Sequence, residues 1–217
     1  MTVDVGLLAV LALPLSYLFT LVQLGLWWRQ PERRSHLRWA LVNLLSALGA
    51  TLLVARTLVP LWVTTSLANT LLIAAMFAQW SAMAQFGGRR VPLRWFAVIT
   101  ILFFVLFQGL WGLNGDLGLR VLLASAVSAI LNGCIAYELL RAQQTLRLRA
   151  RAFLSTVFAL HALFFLFRSA TAVTLDASMD FLQAGGIQNL TVTIAALKLI
   201  AWNLGAVWMV REQLSTR

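Results

Sequence analysis

Long runs of apolar residues alternate along the chain with short connections that hold most of the charged residues. A helix of about 20 apolar residues crosses the hydrocarbon core of a membrane, which is about 30 Å thick. On this basis the pattern predicts an all-α fold, a polytopic membrane bundle of seven transmembrane helices. The predicted spans are residues 5–28, 38–58, 62–86, 94–113, 119–140, 153–175 and 187–210.

The composition of the chain supports the same interpretation. Hydrophobic residues make up 61% of the 217 residues and charged residues only 11%, whereas a soluble domain carries about 25% charged residues. A water-soluble enzyme is therefore excluded. No repeat or low-complexity linker divides the chain, so we expect one transmembrane domain at residues 1–210 and the start of a cytoplasmic linker helix at residues 211–217.

The distribution of basic residues predicts the orientation of the bundle. A net charge of +10 would suggest a nucleic-acid partner for a soluble protein, but thirteen of the 17 basic residues fall in the connections after spans one, three and five and in the C-terminal tail. Cytoplasmic connections of membrane proteins carry an excess of lysine and arginine. We therefore expect the N-terminus outside, the C-terminus in the cytoplasm, the lipid bilayer as a partner and no nucleic-acid binding.

Two basic residues lie deep inside predicted spans, where a charge costs about 2.5 to 3.5 kcal/mol on insertion scales. Arg168 lies about 22 Å along span six from its cytoplasmic start, and His161 shares its helical face. Lys198, the only lysine in the chain, lies near the membrane midplane in span seven. No acidic residue is predicted at this depth, because the four aspartates fall near the outer edge and the three glutamates on the cytoplasmic side.

These positions predict an outward-facing cavity, built mainly from spans three, five, six and seven, that binds a small anionic or carbonyl-bearing molecule. The candidate ligand-binding residues are Arg168, Lys198, His161, Arg120, Gln108, Asn69 and Trp202. In the alternative interpretation, backbone carbonyls satisfy Arg168 and Lys198, which then only stabilise the bundle. Arg56 and Arg120 lie close enough to the outer interface for their side chains to extend to water.

The sequence gives little support to catalysis or to a metal centre. The histidines are His161 and His36, the latter predicted in a cytoplasmic connection, and Cys134 is the single cysteine. We therefore predict no metal site and no catalytic residues, and the cofactor stays open. A retinal Schiff base at Lys198 is an alternative, although the third span has no acid to serve as its counterion. A small transporter and a structural anchor are further alternatives.

Four stretches of the chain carry a family resemblance: SLANTLLIAAMFAQWSAMAQFGGRRVPLRW, LRVLLASAVSAI, LRARAFLSTVFALHALFFLFRSATAV and LGAVWMVREQL. They resemble the seven-span N-terminal sensor region of bacterial membrane-bound GGDEF diguanylate cyclases. The resemblance implies a dimeric sensor in the bacterial cytoplasmic membrane, whose last helix drives a downstream domain that makes cyclic di-GMP from GTP. The 217 residues contain no GGDEF sequence, so enzyme activity is not expected of this chain itself.

The last span has the sequence of a continuous helix. After Ile194 it contains a single glycine, Gly205, and no proline, so helix breakers do not interrupt it before VREQLSTR. We therefore expect span seven to leave the membrane as one rigid helix and to transmit a displacement to whatever follows.

Overall fold

A computed structural model of the chain describes residues 5–30, 34–86, 88–89, 91, 93–114, 117–141, 148–172 and 185–214. Within these ranges the regular structure is helical and no strand is present. The helices are α1 (Val5–Arg29), α2 (Arg34–Val54), α3 (Ala68–Phe86), α4 (Leu93–Asn114), α5 (Leu117–Arg141), α6 (Leu148–Thr171) and α7 (Gly185–Leu214). A 3-10 turn at Ala55–Thr57 and a π-helix at Val63–Leu67 join α2 to α3.

The all-helical prediction is confirmed, and five segments are long and apolar enough to cross a membrane. They are Ser35–Val54, Val63–Gln85, Gly118–Arg141, Arg149–Thr171 and Leu190–Glu212. The fourth helix adds a shorter apolar stretch, Arg94–Leu110. This is the pattern of a multi-pass membrane protein, whereas the number of seven crossings stays a prediction.

The limits of α2 differ from the predicted span 38–58. The helix begins at Arg34 and ends at Val54, so the prediction that His36 lies in a connection is wrong. Hydropathy marks the part of a helix that lies in hydrocarbon and misses a polar first turn at the interface. At the other end, the 3-10 turn precedes Pro60, which lacks an N–H and disfavours helix in the residue before it.

Six of the helices form a closed ring. Along this ring α1 packs on α2, α2 on α3, α3 on α5, α5 on α6, α6 on α7 and α7 on α1. The remaining helix, α4, lies outside the ring against α3 and α5, and its Phe103 and Phe107 belong to one hydrophobic cluster with Phe77 of α3. The opposite face of α4 exposes apolar side chains such as Ile101 and Val105, as expected of a helix surface in lipid.

One large hydrophobic cluster establishes how the helix ends are arranged. It joins Trp39 near the start of α2, Met83 near the end of α3, Leu139 near the end of α5, Leu154 near the start of α6 and Met209 near the end of α7. These helix ends therefore share one end of the bundle. We call it the basic end, because it carries the exposed residues Arg29, Arg89, Arg141, Arg149 and Arg211.

Small residues allow the closest helix contacts. Ser155, Ala162 and Ser169 recur every seven residues on α6, and Ser155 Oγ donates to the carbonyl of Ala136 on α5 at 3.3 Å. Between α6 and α7, a Cβ atom added at Gly205 would lie 2.6 Å from Leu154 Cγ. Membrane helices approach closely where such small side chains meet, so these positions fix α6 between α5 and α7.

Candidate functional site

The inward face of α6 carries the predicted site residues His161 and Arg168. Both are buried, together with Phe158 and Phe165, and the spacing of three, four and three residues keeps all four on one helical face. The His161 ring meets the Phe165 ring edge-on, with 4.9 Å between their centroids. The predicted burial of His161 and Arg168 is confirmed, and their role in ligand binding stays a prediction.

Arg168 contacts a polar stripe on α5. Its Nη1 donates to Ser125 Oγ at 2.8 Å, and Ser125 is completely buried. Ser128 and Asn132 continue the stripe at the next two turns of α5, and Asn132 Nδ2 donates to the Ser128 carbonyl at 2.7 Å. A hydroxyl group accepts a hydrogen bond from the guanidinium without neutralising its charge.

Lys198 of α7 contacts the same face of α6. Its Nζ lies 5.2 Å from the centroid of the Phe158 ring, within the range of a cation–π interaction. Lys198 also interacts electrostatically with His161. The residue as a whole is half-buried, whereas its ammonium group is enclosed by the protein.

Trp202 lies one turn beyond Lys198 and belongs to the aromatic core. Its ring meets the rings of Phe158 and Trp39 edge-on, at centroid distances of 6.0 and 5.9 Å. Because Trp202 is buried between α2 and α6, it contributes to packing here rather than lining an open cavity. It connects the Lys198 contact to the hydrophobic cluster of the basic end.

The sequence interpretation missed the contact that Asn203 makes with a distant helix. Its side chain and that of Asn43 on α2 exchange two hydrogen bonds, of 2.9 and 3.2 Å, and both residues are buried. A reciprocal amide pair in an apolar bundle fixes the register between two helices. An amide beside Trp202 in an apolar run was the available signal, but the run gives no indication of its partner on α2.

The remaining predicted site residues are Asn69, Gln108 and Arg120. Asn69 Nδ2 donates to the Thr65 carbonyl in its own helical segment at 2.6 Å. Gln108 is on α4, outside the ring, and its Oε1 is buried without a hydrogen-bond partner among the described residues. Arg120 is half-buried in the first turn of α5. The structure therefore brings Lys198 and Trp202 together at Phe158, with His161 close by, and places Arg168 about 15 Å further along the same face of α6. Asn69 bonds within its own helical segment, and Gln108 lies on α4, outside the ring.

The described carboxylates are Glu138 and Glu212, and both lie towards the basic end. Asp4, Glu32, Asp116, Asp176 and Asp180 lie outside the described residues, as do residues 173–184, which precede α7 at the predicted mouth of the cavity. In the described part of the chain no group of three histidine, cysteine, aspartate or glutamate side chains is placed to hold a metal ion. His36 Nδ1 is instead hydrogen-bonded to Gln23 Oε1 of α1 at 2.8 Å.

Comparisons with family models, with curated proteins and with solved structures give no match for this chain. The likeness to GGDEF sensor regions therefore rests on the sequence stretches alone.

Proposed function

We propose that the chain is a multi-pass membrane sensor in which a small anionic ligand binds beside α6 and changes how α7 packs against its neighbouring helices. The observation that carries the proposal is the position of Phe158, which contacts both Lys198 and Trp202 of α7. A ligand that attracts Lys198 would therefore change its contact with Phe158, which also packs against Trp202 of the last helix.

The charge of the site favours an anionic ligand. Lys198 rests against the face of a phenyl ring, which contributes about 0.5 to 2 kcal/mol and offsets only part of the cost of a charge within the bilayer. Arg168 adds a second positive charge on the same face of α6. A ligand carboxylate would bring a negative charge to these two cations.

The path from the site to the output follows α7. This helix continues from Gly185 to Leu214, and its Trp202 and Asn203 make the contacts to Trp39 and Asn43 of α2. A ligand shifts a two-state equilibrium only through different affinities for the two states. Attraction of Lys198 towards a bound carboxylate would alter its contact with Phe158. The ligand would therefore favour a different packing arrangement of α7 against α6.

The orientation and the partners belong to the same proposal. If the basic end faces the cytoplasm, as the positive-inside rule favours, all seven helices cross the bacterial inner membrane and the N-terminus is outside. α7 then delivers its signal to a cytoplasmic output domain. The resemblance in sequence points to a GGDEF diguanylate cyclase as that output, working as a homodimer.

Ligand-dependent thermal stability tests the binding step. The purified chain in nanodiscs is heated with sodium acetate, succinate or benzoate, each compared with sodium chloride at equal ionic strength. We expect at least one carboxylate to raise the melting temperature of the wild type. The shift should disappear in Lys198→Gln and in Arg168→Gln.

Arg94→Gln is the matched control, because Arg94 is an exposed arginine on α4 outside the ring. Its carboxylate shift should equal that of the wild type. The proposal is wrong if no carboxylate shifts the wild type, or if the shift survives in both variants of the site.

A further inference from the structure

A groove of about 410 Å³ lies between α3 and α5, towards the basic end of the bundle. Its volume is within the range of small-molecule sites, about 300 to 1,000 Å³. Trp80 of α3 and Gly133, Cys134 and Tyr137 of α5 line it. Ile130 and Tyr137 are 64% and 57% exposed, so the groove opens on the outer surface of the ring, where a membrane helix meets lipid.

Gly133 keeps the groove open. A glycine inside a helix costs about 0.5 to 1 kcal/mol relative to alanine. At Gly49 and Gly205 an added Cβ would collide with a neighbouring helix, which explains why glycine is present there despite this cost. At Gly133, by contrast, no described atom lies within 4 Å of an added Cβ. Helix packing therefore does not require this glycine, whereas any side chain at the position would occupy the groove.

One end of the groove carries a fixed cation. Gly88, with φ of +83°, closes α3: its N–H bonds to the Gln85 carbonyl, and the N–H of Arg89 bonds to the Ala84 carbonyl. This Schellman motif turns the chain immediately after α3. It places Arg89 against Glu138, with 2.7 Å between Nη1 and Oε1.

The ion pair leaves part of the arginine accessible. The Glu138 side chain is 6% exposed and that of Arg89 is 46% exposed, so the buried carboxylate holds the guanidinium at the groove while its other N–H donors remain available. Arg141 is exposed at the end of α5, one turn beyond Tyr137 on the same face. Two arginines against one carboxylate leave net positive charge where the groove meets the basic end.

We propose that this groove binds an anionic phospholipid of the surrounding bilayer. An acyl chain lies along Gly133 and Cys134, and the phosphate contacts Arg89 and Arg141. The occupant is a lipid because the groove is apolar and faces the bilayer, and it is anionic because of the arginines at its end. The inference rests on the membrane placement of α3 and α5 and is independent of a ligand at Arg168 or Lys198.

Native mass spectrometry tests the proposal with two lipids of identical chains, phosphatidylglycerol and phosphatidylcholine, added to the detergent-solubilised protein. We expect the wild type to retain phosphatidylglycerol preferentially. Gly133→Leu should abolish most of this retention, and Arg141→Gln should lower it about fivefold, the effect of one arginine at an anionic lipid.

The matched controls are Gly25→Leu and Arg211→Gln. Gly25 is an exposed glycine of α1 that also has no described atom within 4 Å of an added Cβ, and Arg211 is an exposed arginine of the basic end. Both variants should retain phosphatidylglycerol as the wild type does. Equal retention of the two lipids by the wild type, or unchanged retention in Gly133→Leu, overturns the proposal.

Cys134 provides a readout that needs no substitution, because it is the single cysteine of the chain and lines the groove. Phosphatidylglycerol should slow its reaction with N-ethylmaleimide relative to phosphatidylcholine. Equal rates in the two lipids contradict the assignment. If inorganic phosphate gives the same protection, the groove binds an ion rather than a lipid. If Gly133→Leu changes the dimer fraction but not the lipid retention, the groove is a subunit interface.

Discussion

The contact between Gly205 and Leu154 offers a direct test of how closely α7 packs on α6. A Cβ atom at position 205 would lie 2.6 Å from Leu154 Cγ, well inside van der Waals contact. Leu154 is completely buried in the hydrophobic cluster of the basic end, so any movement of its side chain disturbs the packing of its neighbours. We therefore expect Gly205→Ala to weaken the packing by about 1 to 3 kcal/mol, the usual cost of an overpacked core.

Gly25→Ala separates this clash from the effect on helix propensity. Replacing glycine by alanine inside a helix adds up to about 1 kcal/mol of stability on its own, and an added Cβ at Gly25 has no described atom within 4 Å. The propensity contributions cancel when the two variants are compared. The free energy of unfolding of Gly205→Ala should therefore be about 1 to 3 kcal/mol lower than that of Gly25→Ala.

The assay is unfolding of the detergent-solubilised protein by titration with sodium dodecyl sulfate, followed by far-ultraviolet circular dichroism. Leu154→Ala adds a double-mutant cycle. Alone it creates a cavity and costs about 2 to 5 kcal/mol, but in the Gly205→Ala background it also relieves the clash, so its cost should be smaller. Equal stability of the two alanine variants, or strictly additive effects of Gly205→Ala and Leu154→Ala, would refute the reasoning.

Three further predictions concern α7 and its surroundings. Asn43→Ala and Asn203→Ala should each destabilise the bundle, and a double-mutant cycle should give a coupling of about 0.6 to 2 kcal/mol for their amide pair; zero coupling would contradict the observed hydrogen bonds. Addition of all-trans-retinal should give no visible absorbance band, whereas a band that disappears in Lys198→Ala would favour the rhodopsin-like alternative. Fusion of a cyclase after Leu214 through zero to three extra alanines should give an output that varies with helical phase, and an output independent of phase would argue against relay through a rigid α7.

Most of the secondary structure was predictable, because it depends on local patterns. An apolar run long enough to span hydrocarbon is helical almost by necessity, since no other backbone arrangement of a single segment satisfies its own polar groups there. The same local logic placed His161 and Arg168 on one buried face, because residues seven apart return to the same side of a helix. Hydropathy failed at His36, which lies in the polar first turn of α2.

The arrangement of the helices could not be predicted, because it depends on contacts between distant segments. Asn43 and Asn203 are 160 residues apart, and nothing in either run of sequence identifies the other as its partner. Gln108 was included among the site residues because of its depth in the membrane, but α4 lies outside the ring. Periodicity thus indicates which face of a helix is buried without indicating which helix covers it.

The packing around α7 determines how a ligand signal would travel. Lys198, Trp202, Gly205 and Met209 form one stripe at intervals of four, three and four residues, and the last three lie against the packed cluster and Leu154. A close-packed cluster resists compression, so a displacement at Lys198 cannot simply push α7 along its axis into the basic end. We therefore expect α7 to tilt about its contact at Gly205. Spin labels beyond Gly205 should then move sideways when a carboxylate binds, and a purely axial shift would exclude this motion.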